Sequence, residues 1–342
     1  MHKFDYNWTL KDANFTKDKG KVFSCFSCGG GSTMGLKLAG FDVIGNLEID
    51  PKKNAAYVKN HNPKYNFNQD IREFRMRNDL PEELYNLDIL EGAPPCVLFS
   101  MAGSREEKWG EVFKHDGITQ RWDDLYFEFI ALAKKLQPKI IIAENVKGLL
   151  LGNAIDYVRQ IYDGFDDAGY YCQHFLLNSA YMGVPQRRER VFFVCLRKDL
   201  AEPFLEMVDM FEMKPYIDME LNEEPITCRD CNLELGVPLK GFALEDWTRL
   251  KNGEEKKYLQ SALINIDSVH PTITEGYSEK ANPMPEWSPS WLSDNDLCKV
   301  GSFPSDYDFN EIKAHKLIGR SVPPCMAANI ASRVYEYWLS KL

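Results

Sequence analysis

The chain has 342 residues, 44% of them hydrophobic and 13% aromatic, enough for a sizeable core and for more than one average domain but fewer than three. No run of eighteen apolar residues occurs, which argues against a membrane-spanning helix, and the polar stretch MHKFDYNWTLKDANFTKDKGK lacks the apolar centre of a secretory leader. The net charge of −10 argues against a simple polyanion binder while allowing a local basic cleft, and nine scattered cysteines favour free thiols in a cytoplasmic protein over a disulfide framework.

Residues 21–51, KVFSCFSCGGGSTMGLKLAGFDVIGNLEIDP, read as a strand (Val22 to Phe26), a glycine-rich turn, a helix (Thr33 to Ala39) and a strand (Val43 to Ile49) that ends among Glu48 and Asp50. Such a unit suits a nucleotide-type ligand. Its glycines let the backbone approach the ligand, and an acid can hold a pair of ribose hydroxyls. LDIL (87–90) is a strand that leads into EGAPPCVLFSMAG (91–103). LYFEFIALAKKLQ (125–137) has helical spacing, KIIIAENV (139–146) is a buried-type strand, AIDYVRQIYDGFDDAGY (154–170) is a helix and RVFFVCLRK (190–198) is a strand. The alternation predicts an α/β fold, a doubly wound and mainly parallel sheet with helices on both faces. Over about 201–302 the alternation fades into a loop-rich stretch richer in Pro, Asn, Asp and Trp. Helical pattern returns over 313–342, where AANIASRVYEYWLSKL follows Val-Pro-Pro.

Three stretches can carry chemistry. Pro94 and Pro95 stiffen the approach to Cys96, which suits a nucleophile held in a fixed direction, although a buried bystander thiol fits the local stretch as well. Glu144 closes the strand KIIIA, where burial would raise its pKa for proton donation; capping the next helix is the simpler role. Arg187, Arg188 and Arg190 cluster before an apolar strand, as phosphate or base-edge ligands or as a solvated edge.

In combination and in this order, the motifs resemble the cytosine-C5 DNA methyltransferases of bacteria and phages. Phe26-Ser27…Gly30-Gly31…Gly35-Leu36 resembles that family's cofactor loop, Glu48 and Asp50 its second-strand acids, and Asp70-Ile71 its adenine-side aspartate. Pro94-Pro95-Cys96…Phe99-Ser100…Ala102-Gly103 resembles the nucleophile loop, followed by Glu144-Asn145-Val146 and Gln186…Arg188…Arg190. LSDNDLCKVGSFPSDYDF (292–309) and IGRSVPPCMAANIA (318–331) resemble the last two motifs, so the likeness covers roughly 21–198 and 290–335.

The resemblance implies a soluble, nucleoid-associated enzyme that acts as a monomer on double-stranded DNA, with S-adenosylmethionine as cofactor and no metal. It implies that Cys96 adds to C6 of a flipped cytosine, Glu144 holds N3 and Arg188 contacts O2. Phe26 and Ile49 would flank the adenine, Glu48 the ribose and Asp70 the adenine amine, with Ser27, Gly30, Gly31, Ile71, Pro94, Ser321 and Val322 completing the cofactor site. Ser100, Gln186 and Arg190 are candidate DNA contacts, as are Arg229, Lys240 and Arg249 of a target-recognition insert. The implied division is a catalytic domain over 1–198, that insert over 199–290 and a returning segment over 291–342.

Several positions depart from the pattern. Cys28 replaces a usual glycine, Ser24 a usual aspartate and Val97 a usual glutamine, and residues 104–124 form a longer, more charged segment expected to close over the flipped base. Arg320 stands where the family has asparagine, near the cofactor's reactive end. Two like charges about 4 Å apart at an effective dielectric near 20 repel by roughly 4 kcal/mol, so Arg320 opposes a bare sulfonium. The sign reverses for carboxy-S-adenosylmethionine, whose carboxylate a guanidinium binds well, and the product would then be 5-carboxymethylcytosine. A tRNA cytosine-C5 methyltransferase, an inactive DNA-binding regulator and a small-molecule transferase are the rival readings. The Cys25/Cys28 and Cys228/Cys231 pairs are not expected to form a zinc site, and Trp247, Trp287 and Trp291 are expected as packing anchors.

Overall fold

The computed structural model describes residues 4–95, 113–115, 118–120, 125–207, 213–258, 262–276 and 283–342. Cys96, Ser100, Val97 and most of the 104–124 segment lie outside them; within that segment only the backbone of residues 113–115 and 118–120, an antiparallel hairpin, is described. In chain order the main elements are β1 (Lys21–Cys25), α1 (Gly31–Leu38), β2 (Asp42–Leu47), α2 (Pro51–His61), β3 (Tyr65–Phe67), α3 (Ile71–Met76), β4 (Ile89–Gly92), β5 (Phe113–His115), β6 (Ile118–Gln120), α4 (Leu125–Leu136), β7 (Ile140–Val146), α5 (Ile155–Asp167), β8 (Tyr170–Asn178) and β9 (Glu189–Arg197).

Seven strands form one sheet in the order β3-β2-β1-β4-β7-β9-β8. Strands β3, β2, β1, β4 and β7 run parallel; β9 is antiparallel to both β7 and β8. Near-continuous apolar strands are what a sheet covered on both faces requires. Successive residues go to opposite sides: Val22, Ile89, Ile142 and Val194 join one core, and Phe23, Leu90, Ile141 and Phe193 the other. Phe129, Ile161 and Phe165 of α4 and α5 fill the second core. The apolar alternation did not mark β3, or the edge strand β8, whose central residues are partly exposed.

Beyond β9 come short ladders, β10 (Leu205–Met207) with β11 (Met213–Pro215), β12 (Val237–Pro238) with β15 (Ser290–Trp291), and β13 (Leu263–Ile264) with β14 (Met284–Pro285). Helix α6 (Gly241–Lys251) packs Ala243, Trp247 and Leu250 with Leu239, Met284 and Trp291, so Trp247 and Trp291 anchor a small core. Then come α7 (Asp294–Gly301), α8 (Ala314–Arg320) and α9 (Pro324–Tyr337); α7 and α8 pack with Met34 of α1 and Ala56 of α2 in a third core. Helix α9 lies against α1 and sends Met326, Ile330 and Val334 into the first core.

Gly35 permits that crossing. A Cβ there would lie 2.2 Å from the Pro324 carbonyl oxygen and 2.6 Å from the Ala327 Cβ. Two helix backbones this close leave no room for a side chain. Gly35→Val is expected to cost about 2 kcal/mol or more by overpacking, whereas Gly236→Val, with nothing within 4 Å of its added Cβ, stays within about 0.5 kcal/mol. Thermal denaturation of the two variants checks this.

Candidate active site

The turn after β1 is strained in a patterned way. Phe26 (φ 53°), Cys28 (φ 46°) and Gly30 (φ 73°) all lie in the left-handed region within five residues. Gly30 is required twice, by its φ and because a Cβ would sit 2.1 Å from His61 Nε2. Gly31 opens α1, and a Cβ on it would meet the Val322 carbonyl oxygen at 2.3 Å. The Tyr307 hydroxyl donates to the Gly29 carbonyl.

Glu48 holds this turn. The side chain is buried; Oε2 accepts the Cys28 N–H at 2.8 Å and Oε1 the Asp50 N–H at 2.9 Å. Burial raises its pKa, and Lys53 nearby opposes the rise. Asp50 caps α2 through the Lys52 and Lys53 amides and pairs with Lys53 at 2.8 Å. The two acids of the second strand therefore have separate roles, one bracing the turn and one capping a helix.

The other expected cofactor residues sort by environment. Phe26 packs at the core's edge near Phe129. Ser27 is buried and its hydroxyl accepts from Asn46. Asn68 holds the Ile49 carbonyl. Asp70 caps α3 and pairs with Arg72 at 3.2 Å. The Ile71 side chain is in the core, so any cofactor contact at 71 has to come from backbone. Ser321 donates to the Leu317 carbonyl, and Val322 is buried against the glycine turn.

Pro94 is buried, and its carbonyl accepts from the Asn145 side chain at 3.3 Å. This bond ties the stiff approach to Cys96 onto the end of β7. Glu144, the neighbour of Asn145, pairs through Oε1 with Arg190 Nε at 3.0 Å. Both side chains are mostly covered. The antiparallel register produces the pair, since Val146 of β7 stands opposite Arg190 of β9.

Arg188 and Gln186 are both held by partners within the protein. Arg188 is 2% exposed and donates to the carbonyls of Ile273 (3.2 Å) and Gly319 (3.0 Å). Its Nε has no hydrogen-bond partner among the described residues. Burial first, then the charge of Arg190, push its pKa down to about 9. Buried Gln186 accepts the Ile273 N–H at 3.0 Å and bridges to His270, so it braces residues 270–273. The arginine paired with Glu144 is thus Arg190, whose guanidinium is not spread over solvent. Arg187 is the exposed one of the three.

Two of the expected insert contacts are engaged within the protein. Arg229 makes two bonds to Asp267, and Arg249 reaches Glu254 and the Glu255 carbonyl. Lys240 is exposed before α6. Arg320, the last residue of α8, forms an ion pair with Glu275, and its charge still reaches Cys28 and Lys53. Cys228 and Cys231 are buried in one turn, with the Cys231 thiol on the Cys228 carbonyl at 3.4 Å. Among the described residues no three His, Cys, Asp or Glu side chains gather as a metal site.

One buried acid was missed in the sequence. Glu91 on β4 is 5% exposed and accepts from the Ser24 hydroxyl at 2.6 Å. A glutamate inside the apolar run LDILEG was its only signal.

A family model described as C-5 cytosine-specific DNA methylase matches residues 20–336. The chain is 31% identical over 340 residues to type II methyltransferase M.FnuDI of Fusobacterium nucleatum, covering 92% of this chain and 94% of that protein. It is 32% identical over 371 residues to type II methyltransferase M.Sau96I of Staphylococcus aureus, covering 98% and 81%. Among solved structures, a protein encoded within an E. coli prophage superposes with a TM-score of 0.67 at 21% identity, covering 93% of this chain and 99% of that one. Spodoptera frugiperda DNMT2 superposes with a TM-score of 0.61 at 17% identity, covering 91% and 98%; these two likenesses concern the fold.

Burial, reinforced by Glu144, raises the Glu91 pKa from 4.5 to about 7, while hydrogen bonds from Ser24 and Ser32 oppose the rise. A carboxyl with a raised folded-state pKa favours folding fully below the unfolded value and loses that contribution as pH climbs through about 7. Glu91→Gln removes the titration. Its stability relative to wild type is expected to rise by up to roughly 3 kcal/mol between pH 4.5 and pH 8. Urea unfolding at several pH values checks the slope.

Proposed function

The chain belongs to the C-5 cytosine-specific DNA methylase family, and from that premise we propose that it methylates C5 of a cytosine flipped out of double-stranded DNA. The observation that carries the reading is the convergence at the end of β7. Asn145 holds the approach to Cys96, and Arg190 holds Glu144 one residue away.

The residues present suit S-adenosylmethionine. A left-handed turn ending in Gly30 and Gly31 opens α1, an acid braces it, and a buried carboxyl lies next to it. When bound there, the cofactor supplies an electrophilic methyl group. Gly30, Gly31, Phe26 and Ile49 would hold it, with Ser27, Pro94, Ser321 and Val322 around them. Glu48 stays within reach of the ribose while bracing the turn.

Cytosine C5 is a poor nucleophile, so the ring must be activated first. In this reading the Cys96 thiolate forms a bond to C6, and the C5=C6 electron pair becomes available at C5. Glu144 hydrogen-bonds N3 and favours its protonation, easing the addition. Arg190 orients that carboxylate, and its pairing with Glu144 supports assigning it, in place of Arg188, to base O2. Arg188 acts one layer below, fixing the loops at Ile273 and Gly319. After transfer, loss of the C5 proton restores the ring and breaks the S–C6 bond. Residues 199–290 serve as the target-recognition insert, and exposed Lys240 of that insert and exposed Arg187 of the catalytic domain meet the phosphates. A protein of net charge −10 must bind DNA through such local groups.

The Arg320–Glu275 pair favours the methyl donor over a carboxylate-bearing one, because the guanidinium charge is already answered by an acid.

Given duplex DNA with S-adenosylmethionine and carboxy-S-adenosylmethionine together, the protein is expected to yield 5-methylcytosine, read by mass spectrometry of the digested DNA. Arg320→Asn should leave the donor ratio unchanged. Dominant 5-carboxymethylcytosine would overturn the methyl assignment, and modification of tRNA in preference to duplex would overturn the DNA assignment. Arg190→Gln should lower kcat by about 100-fold or more with melting close to wild type. Arg188→Ala should instead lower the melting temperature, since it leaves two buried carbonyls without their donor.

A further inference from the structure

Four acidic side chains are buried among the described residues: Glu48, Glu91, Asp246 and Asp296. Three of them hold loops through backbone amides. Glu48 accepts from Cys28 and Asp50, Asp246 from Lys257 and Tyr258, and Asp296 from Glu234 and Leu235. Glu91 is different. Its partners are two hydroxyls, those of Ser24 and Ser32, and the charges that act on it include Glu144 but no cation among the described residues. A buried carboxylate is costly unless it is hydrogen-bonded or paired, and among the described residues only hydroxyl donors, with no opposite charge, offset that cost at Glu91.

Its position says where that charge comes from. Glu91 stands opposite Ser24 in the β1–β4 pairing and opposite Ile142 in the β4–β7 pairing. Glu144 lies two residues beyond Ile142, so Glu91 and Glu144 share one sheet face. Ser32 belongs to the first turn of α1. Glu91 thus lies between the glycine turn and the Glu144–Arg190 pair, at the boundary of the cofactor and base positions. Ser24 occupies the place where the resemblance leads one to expect an aspartate. Glu91 brings a carboxyl back to the same point from the neighbouring strand.

We propose that Glu91 is the counter-charge for the sulfonium centre of the methyl donor, and that it makes the site prefer the charged donor over the neutral product S-adenosylhomocysteine. The assignment rests on the S-adenosylmethionine reading above. Its consequence is selective. The positive charge is present in the bound donor and disperses during transfer, so Glu91 tightens donor binding, leaves the neutral product almost unaffected and does not speed the chemical step. It is a binding and positioning residue.

The test is calorimetric binding of S-adenosylmethionine and S-adenosylhomocysteine to the full-length chain. Glu91→Gln keeps the shape and the hydroxyl partners. It is expected to weaken the donor about tenfold while the product stays within about twofold. In steady-state assays it should raise KM for the donor and leave kcat near wild type. The transposed variant Ser24→Asp/Glu91→Ser, which returns the carboxyl to β1, should restore the donor preference. Equal weakening of both ligands, or of neither, overturns the assignment. If the transposed variant melts out, the single variant decides alone. A wild type that binds neither ligand overturns the cofactor reading, and this assignment with it.

Discussion

The reversal of a single strand organises the site. Strands β1, β2, β4 and β7 run the same way and deliver their carboxyl ends to one edge of the sheet. Strand β9 runs the other way, so its first residues, not its last, arrive at that edge. The segment preceding a strand is then available as an active-site segment. Arg190 enters on Glu144, and Arg188 enters beneath it with its hydrogen bonds to the 273 and 319 loops. Were β9 parallel, both guanidinium groups would stand at the far end of the sheet.

Charge burial is handled in two ways around this edge. Glu48 is surrounded by N–H donors and by Lys53, so its burial rigidifies a turn. Arg188 is likewise satisfied by carbonyls, though one nitrogen is left over. Glu91 is held less completely, and the difference separates acids that shape the fold from one that is poised for a ligand. The Arg320–Glu275 pair belongs to the first kind, a charge answered within the protein.

The α/β class, the strand–turn–helix start and the order of the motifs are legible because they rest on local periodicity and on glycine and proline chemistry. The direction of β9 is not, because apolar runs read the same both ways. Arg188 and Arg190 are two residues apart on an extended segment and point the same way, so pattern could not assign them. The choice is made by Ile273 and Gly319, which lie 85 and 131 positions away. Arg320 poses the same problem, since its neutralising partner Glu275 lies 45 positions earlier. Asp70 and Ile71 show the converse, where a matching motif says nothing of whether a side chain caps a helix or enters the core.

The crossing of α1 and α9 has a consequence in time. The glycine turn is made well before the residues that cover it: Gly29 is covered by Leu317 and Tyr307, Gly31 by Val322 and Gly35 by Pro324 and Ala327. Those partners emerge some three hundred positions later along the chain. Until the ribosome has released them, the turn has no roof, and the Glu48 brace acts without the packing that completes it. A nascent chain therefore carries the chemical groups of the enzyme long before it carries the enzyme, and the site closes only after α8 and α9 have been translated.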